Sequence, residues 1–255
     1  MSYSHYILKI DSRDTTFKGT TNPIQISLNN SSSSQIERII VKNMSIPHVF
    51  YNVNDTNNIL TISKLSNMYI ITWPIGQYTI TTYTSYFNNS LQAIAAGVIM
   101  TFDSLVNKIK FTSTSDVILL YNASSAFPVI GLDKTIDFNI LNGIPIYASF
   151  MCDLSGLRNL YVETSFSQMH TLNSKNEYKS YIANIPLIVP FGSIIHYINQ
   201  EQELDQVTRS KMYSQNLNNI IVTLKDALGN ILNLQNMHWE INFKISTSNN
   251  NDLFE

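Results

Sequence analysis

Charge is what this sequence has least of. Only 13% of its 255 residues are Asp, Glu, Lys or Arg, against about 25% in an ordinary globular domain. The surface must therefore be covered mainly by Asn, Ser, Thr, Gln and Tyr. A formal net charge of -2 brings little self-repulsion, which favours association over a solitary chain. Codon bias in an AT-rich genome, which inflates Asn, Ile and Tyr, accounts for the same composition and is compatible with assembly. Basic clusters are missing as well. Lys9, Arg13 and Lys18 are offset by Asp11 and Asp14, so no arm for specific nucleic-acid binding is expected.

Other absences narrow the class further. Cys152 is the single cysteine; it excludes a disulfide within one chain and reads as a buried, inert thiol in a reducing compartment. No apolar run approaches the ~18 residues that span a bilayer. The opening MSYSHYILKI has no basic region ahead of a long apolar core, so it does not read as a signal peptide. The chain is expected to be soluble, without membrane insertion, and made in a cytosol-like space. Its 8 glycines are dispersed, which leaves no phosphate-binding loop. His5, His48, His170, His196 and His238 have no paired metal-binding spacing, and His238 near Glu240 reads as a strand residue. Glu201, Glu203 and Asp205 alternate as calcium ligands can, but the glycine and distal Glu of a calcium loop are missing. No catalytic residue, cofactor or metal follows from these patterns, and the chain reads as a non-enzyme.

What the chain has in abundance is short β-branched and aromatic runs separated by turn residues, the pattern of an all-β sandwich or barrel. After YILKID come runs at 24–28, 36–46, 59–62 and 68–73, the last ended by Pro74 and Gly76. Runs at 109–112 and 117–121 read as a hairpin around a Ser/Thr turn. Further strands are expected at 157–162, 182–189, 193–198, 220–224 and 239–245, with a D-A-L-G-N turn at 226–230. Between 79 and 96 the period changes. Tyr83, Tyr86, Phe87, Leu91 and Ile94 recur as on one helical face, with Thr79 as cap and Gly97 as stop. A shorter helical turn at 125–130 ends at Gly131. Such helices read as elaborated connections of one sandwich. No repeat, linker or sharp boundary is evident. The expected organisation is an N-terminal arm and first strand over 1–23, then a single domain over 24–255. Its long polar loops near 163–181 and 199–219 read as exposed contact surfaces.

Four residues in one turn, Asp11, Ser12, Arg13 and Asp14, are the main polar candidates. Asp and Ser can bond nearby backbone N–H groups, while Arg13 pairs locally or across a subunit boundary. A nucleophilic site would also need an oriented base and an oxyanion pocket, and neither is apparent. Trp73 and Trp239 sit at strand edges in apolar surroundings and read as core anchors. Tyr78, Tyr83 and Tyr86 read as core and rim, with a subunit interface as the second reading.

The order of several motifs resembles a known family. D-S-R-D at 11–14 leads to N-P at 22–23, then to a strand ending in I-P at 46–47 and an aromatic, Asn-rich loop. P-I-G-Q-Y-T-I, S-A-F-P-V-I-G-L and P-F-G-S-I-I-H-Y follow, and a D-x-x-G-N turn precedes a Trp that opens the final strand. This series resembles the single jelly-roll penton (vertex, minor capsid) proteins of virophages and polinton-like viruses. The resemblance implies an eight-stranded antiparallel jelly-roll sandwich with one or two short helices in its connections. It also implies a structural capsid protein of the virion, synthesised in the host cytoplasm or a viral factory. Five copies would form a homopentamer at each fivefold vertex, beside a double jelly-roll major capsid protein. Several members of the family carry an inserted outer domain, for which this chain's length leaves little room. Two other readings stay open: a minor capsid or cement protein away from the vertices, and a glycan-binding lectin or fibre head. The glycan reading requires Trp73 or Trp239 to be exposed beside polar groups.

Overall fold

Side-chain alternation sets the strands at both ends of the chain. In the computed structural model, which describes residues 3–14, 21–27, 35–165, 171–172, 178–179, 181–199 and 219–248, the first strands are β1 (Tyr3–Asp11), β2 (Ile24–Ser27) and β3 (Gln35–Pro47). A middle region follows with β4 (Ile59–Lys64), β5 (Asn67–Thr72), α1 (Ile80–Asn89), α2 (Leu91–Ala96) and β6 (Val98–Asp103). It continues through β7 (Lys108–Ser113), β8 (Val117–Leu119), α3 (Phe127–Ile130), β9 (Phe138–Ile140) and β10 (Ile146–Tyr147). The last region holds β11 (Asn159–Thr164), β12 (Thr171–Leu172), β13 (Tyr178–Lys179) and β14 (Tyr181–Pro186). It closes with β15 (Ile194–Ile198), β16 (Asn219–Lys225) and β17 (Glu240–Ser248).

The chain divides into two compact units, one made of Met1–Phe50 with Leu157–Glu255 and the other of Tyr51–Gly156. In the first, two four-stranded sheets run in the orders β1-β17-β3-β15 and β14-β11-β16-β2. Every ladder in them is antiparallel. This interleaving of early and late strands is the eight-stranded jelly roll. Ile241, Phe243 and Ile245 of β17 alternate inward and meet Val162, Val222 and Leu224 of the opposing sheet in one buried core. β12 and β13 form a separate two-stranded ladder.

The second unit is spliced between the third and fourth strands of the jelly roll. Its sheets have the orders β5-β4-β8-β9 and β10-β7-β6, and it has its own core around Trp73, Tyr83, Phe87, Phe111 and Phe127. Trp73 stacks on Tyr83 with centroids 4.4 Å apart and planes 7° apart, and its indole N–H donates to Tyr83 O. Asn52 fastens the two ends of this unit together. Its buried amide donates to Tyr78 O and Leu154 O, both at 2.8 Å, and its Oδ1 accepts from Tyr78 N.

The architecture corrects several expectations. Residues 24–255 are not a single domain, because 51–156 builds a core of its own. The runs at 109–112 and 117–121 are strands but not a hairpin. β7 pairs β6 and β10, whereas β8 pairs β4 and β9. Ser113 Oγ and Thr114 N both donate to Gly97 O, which turns the chain out of one sheet and into the other. The helix over 79–96 is two helices. Thr79 forms the N-terminal capping box, but Ser90 breaks the run at ψ 136°, and its hydroxyl caps α2 through Ala93 N. Tyr83 and Phe87 are buried as expected, while Leu91 and Ile94 past the break are exposed and Ala93 and Ala96 take the inner face. Gly131 ends α3 at φ +79°, where Phe150 O leaves no space for a Cβ. Strands β6, β9 and β10 had no signal strong enough to be expected. Most of the loops at 163–181 and 199–219, and part of the arm, lie outside the described residues.

Asn52→Ala removes the acceptor of one buried N–H and the donors of two carbonyls. It should destabilise the inserted unit by about 2–4 kcal/mol. Urea unfolding followed by Trp73 fluorescence in a Trp239→Phe background reads that unit alone; a loss below about 0.5 kcal/mol would contradict the bracing role.

Candidate functional site

The polar candidates meet where β1 ends and β17 begins. Pairing of Asp11 with Glu240 is the last rung of the β1–β17 ladder. Beyond it Ser12–Asp14 makes one 3-10 turn. Ser12 N donates to Trp239 O at 2.9 Å, and Trp239 N donates back to Ser12 Oγ at 3.0 Å. Ser12 Oγ also lies 3.1 Å from His238 Nδ1, within hydrogen-bond distance. The Trp239 indole N–H donates to Thr21 O, so its polar edge is satisfied and its ring fills the core at 2% exposure. Trp73 is fully buried at 0%; it lies in the inserted unit and belongs to a different core.

Arg13 of the turn and Asp11 before it are paired within the chain. Arg13 donates to the buried Asp11 carboxylate from its backbone N and from Nε, both at 2.9 Å, and from Nη2. Lys9 pairs with Glu240 at 2.9 Å. The Arg13 guanidinium and backbone N–H hold the Asp11 carboxyl down at about 2, against an ordinary 3.8, although its burial opposes the shift. Asp14 is exposed at the end of the turn. Across the outer face, Glu240 neighbours Ser45 in register, and Ser45 neighbours His196, with Ser45 Oγ and His196 Nδ1 3.3 Å apart. A shallow cavity of about 250 Å³ opens here, with Pro47, Ile194 and Met237 among its apolar lining residues and Asp11, Arg13 and Glu240 among its charged ones.

This arrangement holds a strand junction. The Ser12 hydroxyl is shared between the Trp239 backbone N–H and the His238 ring. Among the described residues no three His, Cys, Asp or Glu side chains converge on a metal-sized site, and no helix is long and apolar enough to cross a membrane. Burial pushes the Cys152 thiol up to about 11, which keeps it protonated and unreactive. His170, Glu201, Glu203 and Asp205 lie outside the described residues. Sequence reasoning missed the buried amides. Besides Asn52, Asn22 donates to Leu224 O and Leu232 O and accepts from Leu224 N, and the N-P dipeptide containing it was the available signal.

Eight strands in jelly-roll order, with a compact unit inserted after the third, define the class: a single jelly roll carrying an inserted domain. No protein-family model and no curated protein matches the sequence. Among solved structures, the crystal structure of the mavirus penton protein matches 97% of this chain and 100% of its own, with a TM-score of 0.51 and 11% sequence identity. The chain has the fold of that penton protein, over a length that takes in both units.

Because the Asp11 carboxyl is held below its unfolded value, its contribution to stability is complete above about pH 4 and is lost as pH falls toward 2. Asp11→Asn should flatten that acid limb by on the order of 1 kcal/mol, since the exposed Arg13 is partly screened. Urea titrations at pH 5 and pH 2.5 check this; an equal pH dependence in variant and parent would refute it.

Proposed function

We propose that this chain is a capsid penton, five copies of which close the fivefold positions of an icosahedral shell built mainly from a double jelly-roll protein. The observation that carries the reading is a fold match to a penton protein that spans nearly all of both chains. The physical task is closure. Head-to-tail contacts generate a ring when the rotation between copies closes, and a two-sheet sandwich supplies a rigid wedge for it. Low charge and a net charge of -2 suit a subunit that must be packed beside its own copies. The reading assigns the chain to the virion, after synthesis in the host cytoplasm or a viral factory. It gives the chain no catalysis, cofactor or nucleic-acid specificity. Neighbour contacts are assigned to the N-terminal arm and to the polar loops near 163–181 and 199–219. Arg13 and Asp14, exposed at the end of β1, lie on the described part of that arm.

Neither tryptophan supports a glycan-binding head, since both rings are buried and stacking on a sugar needs an open face. Native mass measurement and negative-stain imaging of the purified chain and of virions test the proposal. The expected outcome is fivefold rings of the 29.0 kDa chain and its density at the vertices. A shell whose vertices hold a different protein would sink the penton reading and leave a minor or cement role.

A further inference from the structure

Asn142 is the one asparagine in the chain that glycine follows. With no Cβ, glycine leaves its own backbone nitrogen unhindered. Attack of that nitrogen on the preceding side-chain amide closes a five-membered ring, and such closure needs no second reactant brought in from solution. Both residues are exposed, and a Cβ at Gly143 would meet nothing within 4 Å. Asn22, Asn52 and Asn58 hold their amides in hydrogen bonds to the main chain. The Asn142 side chain has no such partner among the described residues.

The main chain around this pair is fixed at a junction of the inserted unit. The turn runs from β9 to β10, hence from one sheet to the other, and Ile144 N donates to Leu141 O across it at 3.2 Å. The connection from β7 to β8 crosses between the same two sheets. Gly143 N donates to Ser113 O of that connection at 2.9 Å. Asn142 N donates to Asp116 Oδ1 at 2.7 Å. These two bonds tie one crossing to the other.

We propose that Asn142 is a site of spontaneous deamidation, gated by the bond from Gly143 N–H to Ser113 O. In the closed turn that bond keeps the Gly143 proton directed at the carbonyl and the nitrogen out of reaction. An exposed turn held by few bonds opens at the low end of the stability scale. Once it opens, the Gly143 nitrogen gives its proton to water or hydroxide and bonds to Asn142 Cγ. The Cγ–Nδ2 bond breaks, and the leaving nitrogen takes a proton from water to depart as ammonia. Water then opens the cyclic imide at either carbonyl, giving aspartate or isoaspartate at 142 with no change of oxidation state. Neither product restores the junction. Isoaspartate lengthens the main chain by one carbon, and either product sets a new carboxylate near that of Asp116, where like charges repel. The modification therefore loosens the tie between the crossings. It goes beyond the penton reading and does not depend on it.

Ageing the full-length chain in mildly alkaline buffer tests this, with peptide mass spectrometry and isoaspartate methyltransferase labelling as the readout. Isoaspartate should form first at 142, and roughly tenfold more slowly in the folded chain than in guanidinium. Asp116→Ala removes the acceptor of Asn142 N at an exposed position and should speed the folded reaction severalfold. Asn142→Gln, which would have to close a larger ring, should lose the label. Hydrogen exchange at Gly143 N–H follows the opening without any variant, and it should respond to added denaturant as the deamidation rate does. Other asparagines reacting while Asn142 stays intact would overturn the site. Equal rates in the folded and unfolded chain, or exchange and deamidation that respond differently to denaturant, would overturn the gate. Either result leaves the penton reading as it stands.

Discussion

The ladder that sets β17 between β1 and β3 is the constraint on which the jelly roll depends. The first and third strands do not pair with each other; both pair with Glu240–Ser248. Each therefore lacks its shared neighbour until the last strand is in place. The reciprocal bonds between Ser12 and Trp239 close this junction across 227 residues of sequence. Closing a long loop costs only about 0.6 kcal/mol more for each doubling of its length. A ladder that already spans most of the chain thus tolerates a whole extra unit within the loop. That is the physical reason an insertion between β3 and β11 leaves the sandwich intact.

The inserted unit obeys a different rule. Its strands pair within 51–156, its core shares no buried residue with the jelly-roll core, and Asn52 ties its beginning to its end. This explains why its existence was not legible in the sequence. A domain boundary shows as a change of composition or a flexible linker. Here both sides are short strands with Asn- and Ser-rich turns, and the crossing at Phe50 and Tyr51 looks like one more loop. Individual strands, the Thr79 cap, the Gly131 stop and the D-A-L-G-N turn were legible because each depends on a few adjacent residues. Gly229 holds φ +91° there, and Asp226 Oδ1 accepts from Leu228 N and Asn230 N. Pairing partners were not legible. The Ser113–Gly97 contact that separates β7 from β8 joins residues whose proximity exists only in the fold.

The polar site was partly legible for the same reason. Asp11 bonding to the Arg13 backbone and side chain is a local event, and the D-S-R-D spacing announced it. The partners His238, Trp239 and Glu240 arrive from the far end of the chain, so nothing near residue 12 could name them. The abundance of Asn also takes on a sharper meaning. Asn22, Asn52 and Asn58 are buried; the amides of Asn22 and Asn52 both donate to and accept from main-chain groups, and that of Asn58 donates to Trp73 O. Whatever the origin of the chain's many asparagines, these three positions use the amide's chemistry.

Low charge then takes a consistent form throughout the described residues. Where charges occur at the jelly-roll junction, Asp11 takes Arg13 and Glu240 takes Lys9. In the inserted unit two long stretches of sequence, between Lys64 and Asp103 and between Asp137 and Asp153, carry none. Such a chain has little long-range field with which to steer a partner. On the proposed reading, contacts between copies come from surfaces that act only at close approach and depend on fit. A ring closes only if each junction repeats the same rotation. A contact backed by a rigid β framework fixes that rotation better than attraction between mobile charged side chains, which tolerates many geometries. The scarcity of charge and the rigidity of the β framework therefore serve one requirement, a junction with a single geometry.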